Sequence, residues 1–517
     1  MTKKLYASND ELAGKISSGI NKLADNVAST LGPRGRNVIL QKNGENPVVT
    51  KDGVTVAEFV ELDDPFENLG AQVIKQASRM TNAQAGDGTT TATVLARAIY
   101  QNARKQIASG YAPIEIKREI DKTVQEIVER LEHVAKPISS IEDIRHIATI
   151  SANNDYEIGE LIAKAVESVG KDGSITVEEA RSLKTSLDLV EGFRMGAGYA
   201  SSSFITDDRR GAVVYEDAFI LVADTKIDKV DDILPVLEIV AREGRPLIIV
   251  ASDIEGQALA ALIMNSMRGT MKVAAVKAPQ YGEERRSIMK DLCLSTGSAF
   301  VTRSSGLKLK QVKLEHLGQA KKVDITKAVT TIVGGRGDYE EIDKKIESLK
   351  VEISQTDSMA EVEKIQNRIT RLAAGIAVVK VGAATEVEMI EKKHRIEDAL
   401  EAVKSARDEG IVPGGGVALV RTLPSKKIQD GVRNIVYDAI CEPIRQMARN
   451  AGESPDVILD KVKRAKGNTG WDFTSGKTID MIEAGVIDPA KVTRCALQNA
   501  ASAVGALITS GYAIVEE

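Results

Sequence analysis

The run Ala85-Gly86-Asp87-Gly88-Thr89-Thr90-Thr91 stands just before the helical pattern Ala92–Tyr100. A helix N-terminus offers free backbone N–H groups and the positive end of the helix dipole, which together suit phosphate. Glycines let the backbone approach closely, and hydroxyls add hydrogen-bond donors. Asp87 could hold Mg²⁺, an ion that takes one or two carboxylates along with phosphate oxygens and water. An ordinary Gly/Asp turn with threonine caps fits the same residues. No G-x-x-x-x-G-K-[ST] occurs, so this is not a Walker P-loop, and an ATPase built here must neutralise phosphate charge with metal ions and backbone amides. Leu31-Gly32-Pro33-Arg34-Gly35 and Pro413-Gly414-Gly415-Gly416 read as further glycine turns. Asp52 falls in a tight turn after a strand, an ordinary place for aspartate. Asp398 falls in Glu391-Lys392-Lys393-His394-Arg395-Ile396-Glu397-Asp398, which reads as the solvated face of a helix.

Other chemistries are poorly represented. Cys293, Cys441 and Cys495 are far apart and form no C-x-x-C, so neither a disulfide framework nor a zinc ribbon is indicated and a reducing, cytoplasmic setting fits. His133, His146, His316 and His394 show no metal-ligand spacing. The 517 residues carry 69 basic and 74 acidic side chains, net −5, which argues against a general nucleic-acid binder. Aromatics are only 3%, so stacking platforms are not the theme. The start, MTKKLYASND, lacks the apolar stretch of a signal peptide. Ala496 to Val515 is apolar but contains Gln498, Asn499, Ser502, Thr509 and Ser510; it reads as a buried helix followed by a strand, not a membrane span.

The elements that must position these residues follow from length and periodicity. At roughly 100–200 residues per domain, three to four domains are expected. Ile16, Ile20, Leu23 and Val27 mark one helix face, with Asn9 or Asp10 as cap and an end near Leu31-Gly32-Pro33. Short β runs follow at Val38–Leu40 and Pro47–Lys51, with Lys51-Asp52-Gly53 as a turn. Residues 67–110 read as helix, interrupted by 85–91. In the middle, the apolar runs Phe219–Ala223, Leu247–Ala251 and Val273–Lys277 alternate with helical patterns at about 230–242 and 254–266. That order implies right-handed βαβ crossovers and a parallel sheet. Ile342, Ile346, Leu349 and Ile353 form one helical stripe, and Val362, Ile365, Ile369 and Leu372 another. Thr356-Asp357-Ser358 breaks the pair and can cap its second member; an antiparallel hairpin is expected. The last quarter is again mostly helical.

Leu31-Gly32-Pro33-Arg34-Gly35-Arg36-Asn37-Val38, Lys51-Asp52-Gly53-Val54-Thr55-Val56-Ala57 and Gly86–Thr93 resemble, in order, the motifs of the bacterial-type (group I) chaperonins, the GroEL type. So do Met267-Arg268-Gly269, Val273–Pro279, Val381-Gly382-Ala383-Ala384-Thr385-Glu386-Val387-Glu388-Met389 and Gly414-Gly415-Gly416-Val417-Ala418-Leu419. The resemblance covers nearly the whole chain. It implies a multidomain α and α/β chaperonin fold: a mostly helical equatorial ATP-binding domain (1–133 and 403–517), a small intermediate domain (134–190 and 371–402) and an inserted α/β apical substrate-binding domain (191–370). Pro137, Gly192, Gly375 and Gly410 match the family's hinges. Asp87 matches the Mg²⁺ ligand and Gly88, Thr89, Thr90 and Thr91 the phosphate cradle. Thr30, Leu31, Gly32 and Lys51 match the backbone region around the ATP phosphates and a bound K⁺. Gly415 and Asp488 match the ribose side. Asp398 matches the residue that orients the attacking water, and Asp52 its equatorial partner. Tyr199, Phe204, Leu234, Leu237, Leu259, Ile263 and Met264 match the apolar surface that takes non-native polypeptides and a co-chaperonin lid. The implied function is an ATP-dependent ring-shaped chaperone, with a holdase or scaffold of little ATP turnover as the alternative, and neither nucleic acid nor membrane as partner.

Departures from the family pattern carry their own expectations. Ala197 stands where an arginine usually pairs between subunits with the glutamate matching Glu386, so altered cooperativity is expected. Ser203 replaces an apical aromatic. Asp472-Phe473, after Trp471, replaces an Asn-Ala around the adenine. Ser454 replaces a glutamate at the ring–ring contact although Arg445 remains, the stretch after Arg421 is short, and Glu517 ends the chain without Gly-Gly-Met repeats. A heptameric ring with a weakened double-ring state is expected.

Overall fold

The computed structural model describes residues 4–41, 47–169, 174–180, 182–354, 359–372, 375–424 and 430–516. The chain forms two compact units. The first comprises Met1–Lys164, Glu179–Thr185 and Val381–Glu517; the second comprises Ala165–Glu178 and Ser186–Lys380.

The first unit is helical. Asn9–Ala28, Pro65–Ala85, Thr89–Ala108, Pro113–Val134 and Ala490–Ile508 surround an aliphatic core that includes Ile20, Leu23, Ile74, Leu95, Ile99, Ile116 and Leu497. Ile16, Ile20, Leu23 and Val27 share the buried face, as their spacing predicts. Helix Asn9–Ala28 starts one residue earlier than the expected Asn9 or Asp10 cap allows, with Ser8 at the N-cap position making no side-chain capping bond, and it ends before Leu31-Gly32-Pro33. The Ser29 and Thr30 hydroxyls donate to the carbonyls of Asn26 and Val27 at 2.7 and 2.8 Å, so side chains close the helix before the glycine is reached. The interruption within 67–110 shrinks to Gly86-Asp87-Gly88, with both glycines at left-handed φ of 71° and 85°. Asp52 begins a helix, Gly53–Phe59, in place of the expected simple turn. Four two-stranded sheets decorate this unit, among them Lys4–Ser8 with Tyr512–Glu516 and Ile411–Pro413 with Ile487–Pro489. The apolar C-terminal stretch is a buried helix followed by a strand, and no described helix is long and apolar enough to cross a membrane.

The second unit is built on a nine-stranded sheet. Val213–Ile227, Leu247–Ile254 and Val273–Lys277 pair in parallel, joined by helices Val230–Glu243 and Gly256–Met267, as the alternation predicts. The sheet is mixed beyond them. Gly318–Ile325 and Thr330–Gly335 are linked by too few residues for a crossover, so they pair antiparallel and extend the other side. Helices Tyr339–Ser354 and Met359–Leu372 pack through Ile346, Leu349, Ile365 and Ile369. The expected cap Thr356-Asp357-Ser358 lies outside the described residues.

Candidate functional site

A single cleft in the first unit collects residues from across the chain. Thr30, Leu31, Gly32, Lys51, Asp52, Asp87, Gly88, Thr89, Thr90, Thr91, Asp398, Gly415 and Asp488 all line it. Each arrives by a different local device. Asp52 caps helix Gly53–Phe59, accepting the amides of Val54 and Thr55 at 3.1 and 3.0 Å and the Thr55 hydroxyl at 2.6 Å. Gly53 has no side chain because none would fit: a Cβ there would lie 2.2 Å from Thr90 Oγ1. The N-termini of helices Gly53–Phe59 and Thr89–Ala108 therefore meet, the first with its Val54 and Thr55 amides already taken by Asp52. Asp398 comes from the middle of helix Glu386–Glu409, and Asp488 from strand Ile487–Pro489.

The electrostatics are those of a site short of positive charge. Burial pushes the Asp87 carboxyl above its ordinary value and the nearby Asp52 charge adds to this, against the Gly88 amide and the Ser151 hydroxyl. Asp488 is pushed up to about 7 by burial and by the charge of Asp87. Lys51 is held below its usual range by burial and by Arg395, and its Nζ donates to the Gly32 carbonyl at 3.1 Å. Two carboxylates that repel each other, beside a helix N-terminus, fit a divalent cation carried in with phosphate oxygens. Among the described residues no three His, Cys, Asp or Glu side chains gather into a complete metal site. A partial shell of oxygen donors is how Mg²⁺ is usually held on a phosphate substrate. In the stretch expected to bear K⁺, the Gly32 carbonyl accepts Lys51 Nζ.

Apolar side chains on the remaining wall include Ile150, Met447, Trp471, Phe473, Met481 and Val492. Asp472 turns back on its own loop, accepting the Thr474 and Ser475 amides at 2.9 and 3.0 Å, while Phe473 is buried. Sequence reasoning missed Ile150, Ser151, Asn153 and Asn154, which close helix Ile141–Ser151 against the cleft. The one available signal was the Asn153-Asn154 pair, residues that tolerate left-handed backbone and adopt it here at φ 59° and 65°.

A model of the TCP-1/cpn60 chaperonin family matches residues 23–517. The chain belongs to that family. Two solved structures of similar fold are those of the chaperonin gp146 from bacteriophage EL 2 (Pseudomonas aeruginosa), both obtained in the presence of ATP-BeFx. The first matches at 21% identity and TM-score 0.67, over 99% of both chains. The second crystal form matches at 20% identity and TM-score 0.63, again over 99% of each. The helix-rich architecture with mixed sheets is thus the chaperonin fold that the motifs implied.

In the second unit of this chaperonin the seven apolar positions separate. Leu234 and Met264 are 43% and 45% exposed, and Tyr199, Leu259 and Ile263 are half-buried. Phe204 and Leu237 are not on the surface: they sit in the core with Val236, Ala258 and Val276. On helix Val230–Glu243, Leu237 follows Ile233 and Val236 around to the inner face, while Leu234 points away from it. Ala197 lies in the same core, its carbonyl accepting Thr330 Oγ1 at 2.6 Å. Ser203 is exposed.

Proposed function

We propose that this chaperonin is an ATP-driven folding chaperone whose first unit binds and hydrolyses Mg-ATP. The observation that carries the reading is the arrival of Asp52, Asp87, Asp398 and Asp488, from four separate elements, in one cleft with the N-terminus of helix Thr89–Ala108. In this reading Gly88 to Thr91 cradle the phosphates, with Thr30, Leu31, Gly32 and Lys51 beside them. Asp87 holds the metal, and Gly415 and Asp488 face the ribose side. Mg²⁺ would supply charge neutralisation at the phosphate oxygens. Asp398, aligned by its long helix and assisted by Asp52, orients the attacking water. A covering segment that brings Asp398 to the site ties turnover to domain closure. We assign the chain to equatorial (1–133, 403–517), intermediate (134–190, 371–402) and apical (191–370) domains. Leu234, Leu259, Ile263 and Met264 then belong to the apical face that captures non-native chains, since exposed apolar area binds without a specific sequence. A co-chaperonin lid would use the same face.

In this reading the chaperonin is a cytoplasmic, heptameric ring, and unfinished sheets support contact between neighbouring copies. Tyr6 and Ile514 face each other across Lys4–Ser8 and Tyr512–Glu516, yet are 69% and 62% exposed. Ile39 and Val49 do the same across Val38–Leu40 and Val48–Thr50. Two-stranded pieces with bare apolar faces are marginal alone and suit a neighbouring copy. Arg445 is held by Asp456 at 3.0 Å and Asp438 at 3.2 Å of its own chain, which favours a weak contact between back-to-back rings.

Steady-state ATP turnover of wild type against Asp398→Ala tests the reading. A loss of about 100-fold or more in kcat, with ATP binding retained, is expected for a water-orienting group. Equal rates would favour a holdase that turns over little ATP.

A further inference from the structure

Ser151 is the last residue of helix Ile141–Ser151, and its hydroxyl donates to Asp87 Oδ2 at 3.0 Å. The other oxygen, Oδ1, accepts the Gly88 amide at 2.5 Å. Asp87 is therefore held at both oxygens, once by its own loop and once by a helix remote in sequence. A carboxylate has about four acceptor positions, so two such bonds fix its orientation and still leave capacity for a cation.

The place of Ser151 is set by more than its own hydrogen bond. The helix starts with a reciprocal cap between Ser140 and Asp143 and buries Ile144, Ile147 and Ala148. It closes with Ala152 N–H donating to Ala148 O at 2.9 Å and Asn154 N–H to Thr149 O at 2.8 Å. On its flank Gly485, at φ 74°, lies so near His146 that a Cβ would fall 2.7 Å from the imidazole carbons. That glycine leads into strand Ile487–Pro489, which carries Asp488. The helix is thus registered against the strand that bears one carboxylate while its last side chain grips the other.

We infer that Ser151 is a positioning residue for Asp87, and that it makes capture of the metal–nucleotide pair depend on the seating of helix Ile141–Ser151. The inference rests on the nucleotide reading above. With the helix seated, Asp87 is pre-oriented for the cation. With the helix withdrawn, Asp87 keeps only the amide of Gly88 and is free to rotate. The helix thereby has a direct connection to metal affinity, separate from any contact with the nucleotide base.

The test uses the full chain as wild type, Ser151→Ala and Ser151→Thr. Calorimetric titration measures ATP binding with Mg²⁺ and with EDTA, and phosphate release is followed as Mg²⁺ is varied. Ser151→Ala is expected to raise the Mg²⁺ concentration for half-saturation roughly three- to tenfold. It should leave metal-free ATP binding unchanged, and Ser151→Thr, which keeps the hydroxyl, should restore the wild-type Mg²⁺ dependence. An unchanged Mg²⁺ requirement in Ser151→Ala, or equal weakening of metal-free and Mg-ATP binding, overturns the inference. If wild type binds no ATP, or Asp87→Asn leaves the Mg²⁺ dependence intact, the nucleotide reading itself fails and takes the inference with it.

Discussion

In the second unit Asp291, 2% exposed, receives two hydrogen bonds from Arg368, at 2.7 and 3.1 Å. Asp324 is met by Arg210 at 2.8 Å, and Asp224 by Arg285 and Arg286 at 3.2 and 2.8 Å. In the cleft of the first unit, Asp87 is met by a hydroxyl and an amide, and Asp488 is buried under the additional charge of Asp87. A buried carboxylate is costly unless paired. One unit answers that cost with guanidinium groups and gains a fixed structure. The cleft meets it at Asp87 with a hydroxyl and an amide only, which in the nucleotide reading leaves free energy to be recovered when a cation arrives with phosphate. The comparison separates charge used to hold the fold from charge reserved for a ligand.

A large effect is expected from breaking the paired side. Arg368→Ala strands Asp291 in the interior and should cost about 3–5 kcal/mol, read as a shift in chemical denaturation. A cost under about 1 kcal/mol would mean that the two units do not differ as argued.

The unpaired side should respond to pH in the opposite sense from an ordinary ion pair. Asp488 has a folded pKa of about 7 against an ordinary 3.8, so the native state binds its proton more tightly than the unfolded state does. The favourable contribution is complete below 3.8, declines as pH rises, and is gone above about 7. In nucleotide-free protein Asp488→Asn removes that decline. Its stability advantage over wild type should widen between pH 5 and 7.5 by about 2–3 kcal/mol and then level off. Thermal unfolding at several pH values checks this; a gap that does not change with pH would remove Asp488 from the comparison.

The smallest stability change belongs to the exposed apolar positions. Leu234→Ser with Met264→Ser should leave stability within about 0.5 kcal/mol while reducing capture of a chemically denatured reporter in a co-sedimentation assay. Phe204→Ala, from the core, should instead destabilise by about 3–5 kcal/mol. Equal loss of capture with no change in stability for both would return Phe204 to the surface set.

Much of the fold was legible in the sequence because it is periodic. The 3.6-residue stripe of Ile16, Ile20, Leu23 and Val27 and the alternation of apolar runs with helices in the middle each predict a buried face locally. The antiparallel half of the large sheet was not legible, since short strands such as Thr330–Gly335 carry no period that tells which neighbour they choose. Of the site, Gly86-Asp87-Gly88 with the threonines could be read as a helix start. Asp52 and Asp398 gave no sign beyond a turn and a charged helix face, and only family resemblance drew them in. Leu234 and Leu237, three apart on one helix, both match the family's apolar surface; packing puts one outside and one inside, because the stripe through Ile233 and Val236 continues to Leu237.

The sequence by itself determined which segments become helices and strands, where glycine must permit a left-handed turn, and to which family the motifs belong. Those properties depend on neighbours within a few residues. Tertiary structure alone decided that Asp52, Asp87, Ser151, Asp398 and Asp488 would share one cleft, and that two of its carboxylates would be buried near enough to repel each other. The physical reason is that burial and charge repulsion depend on distance through space. For residues as far apart in the chain as 87 and 488, that distance is set by how the helices between them pack.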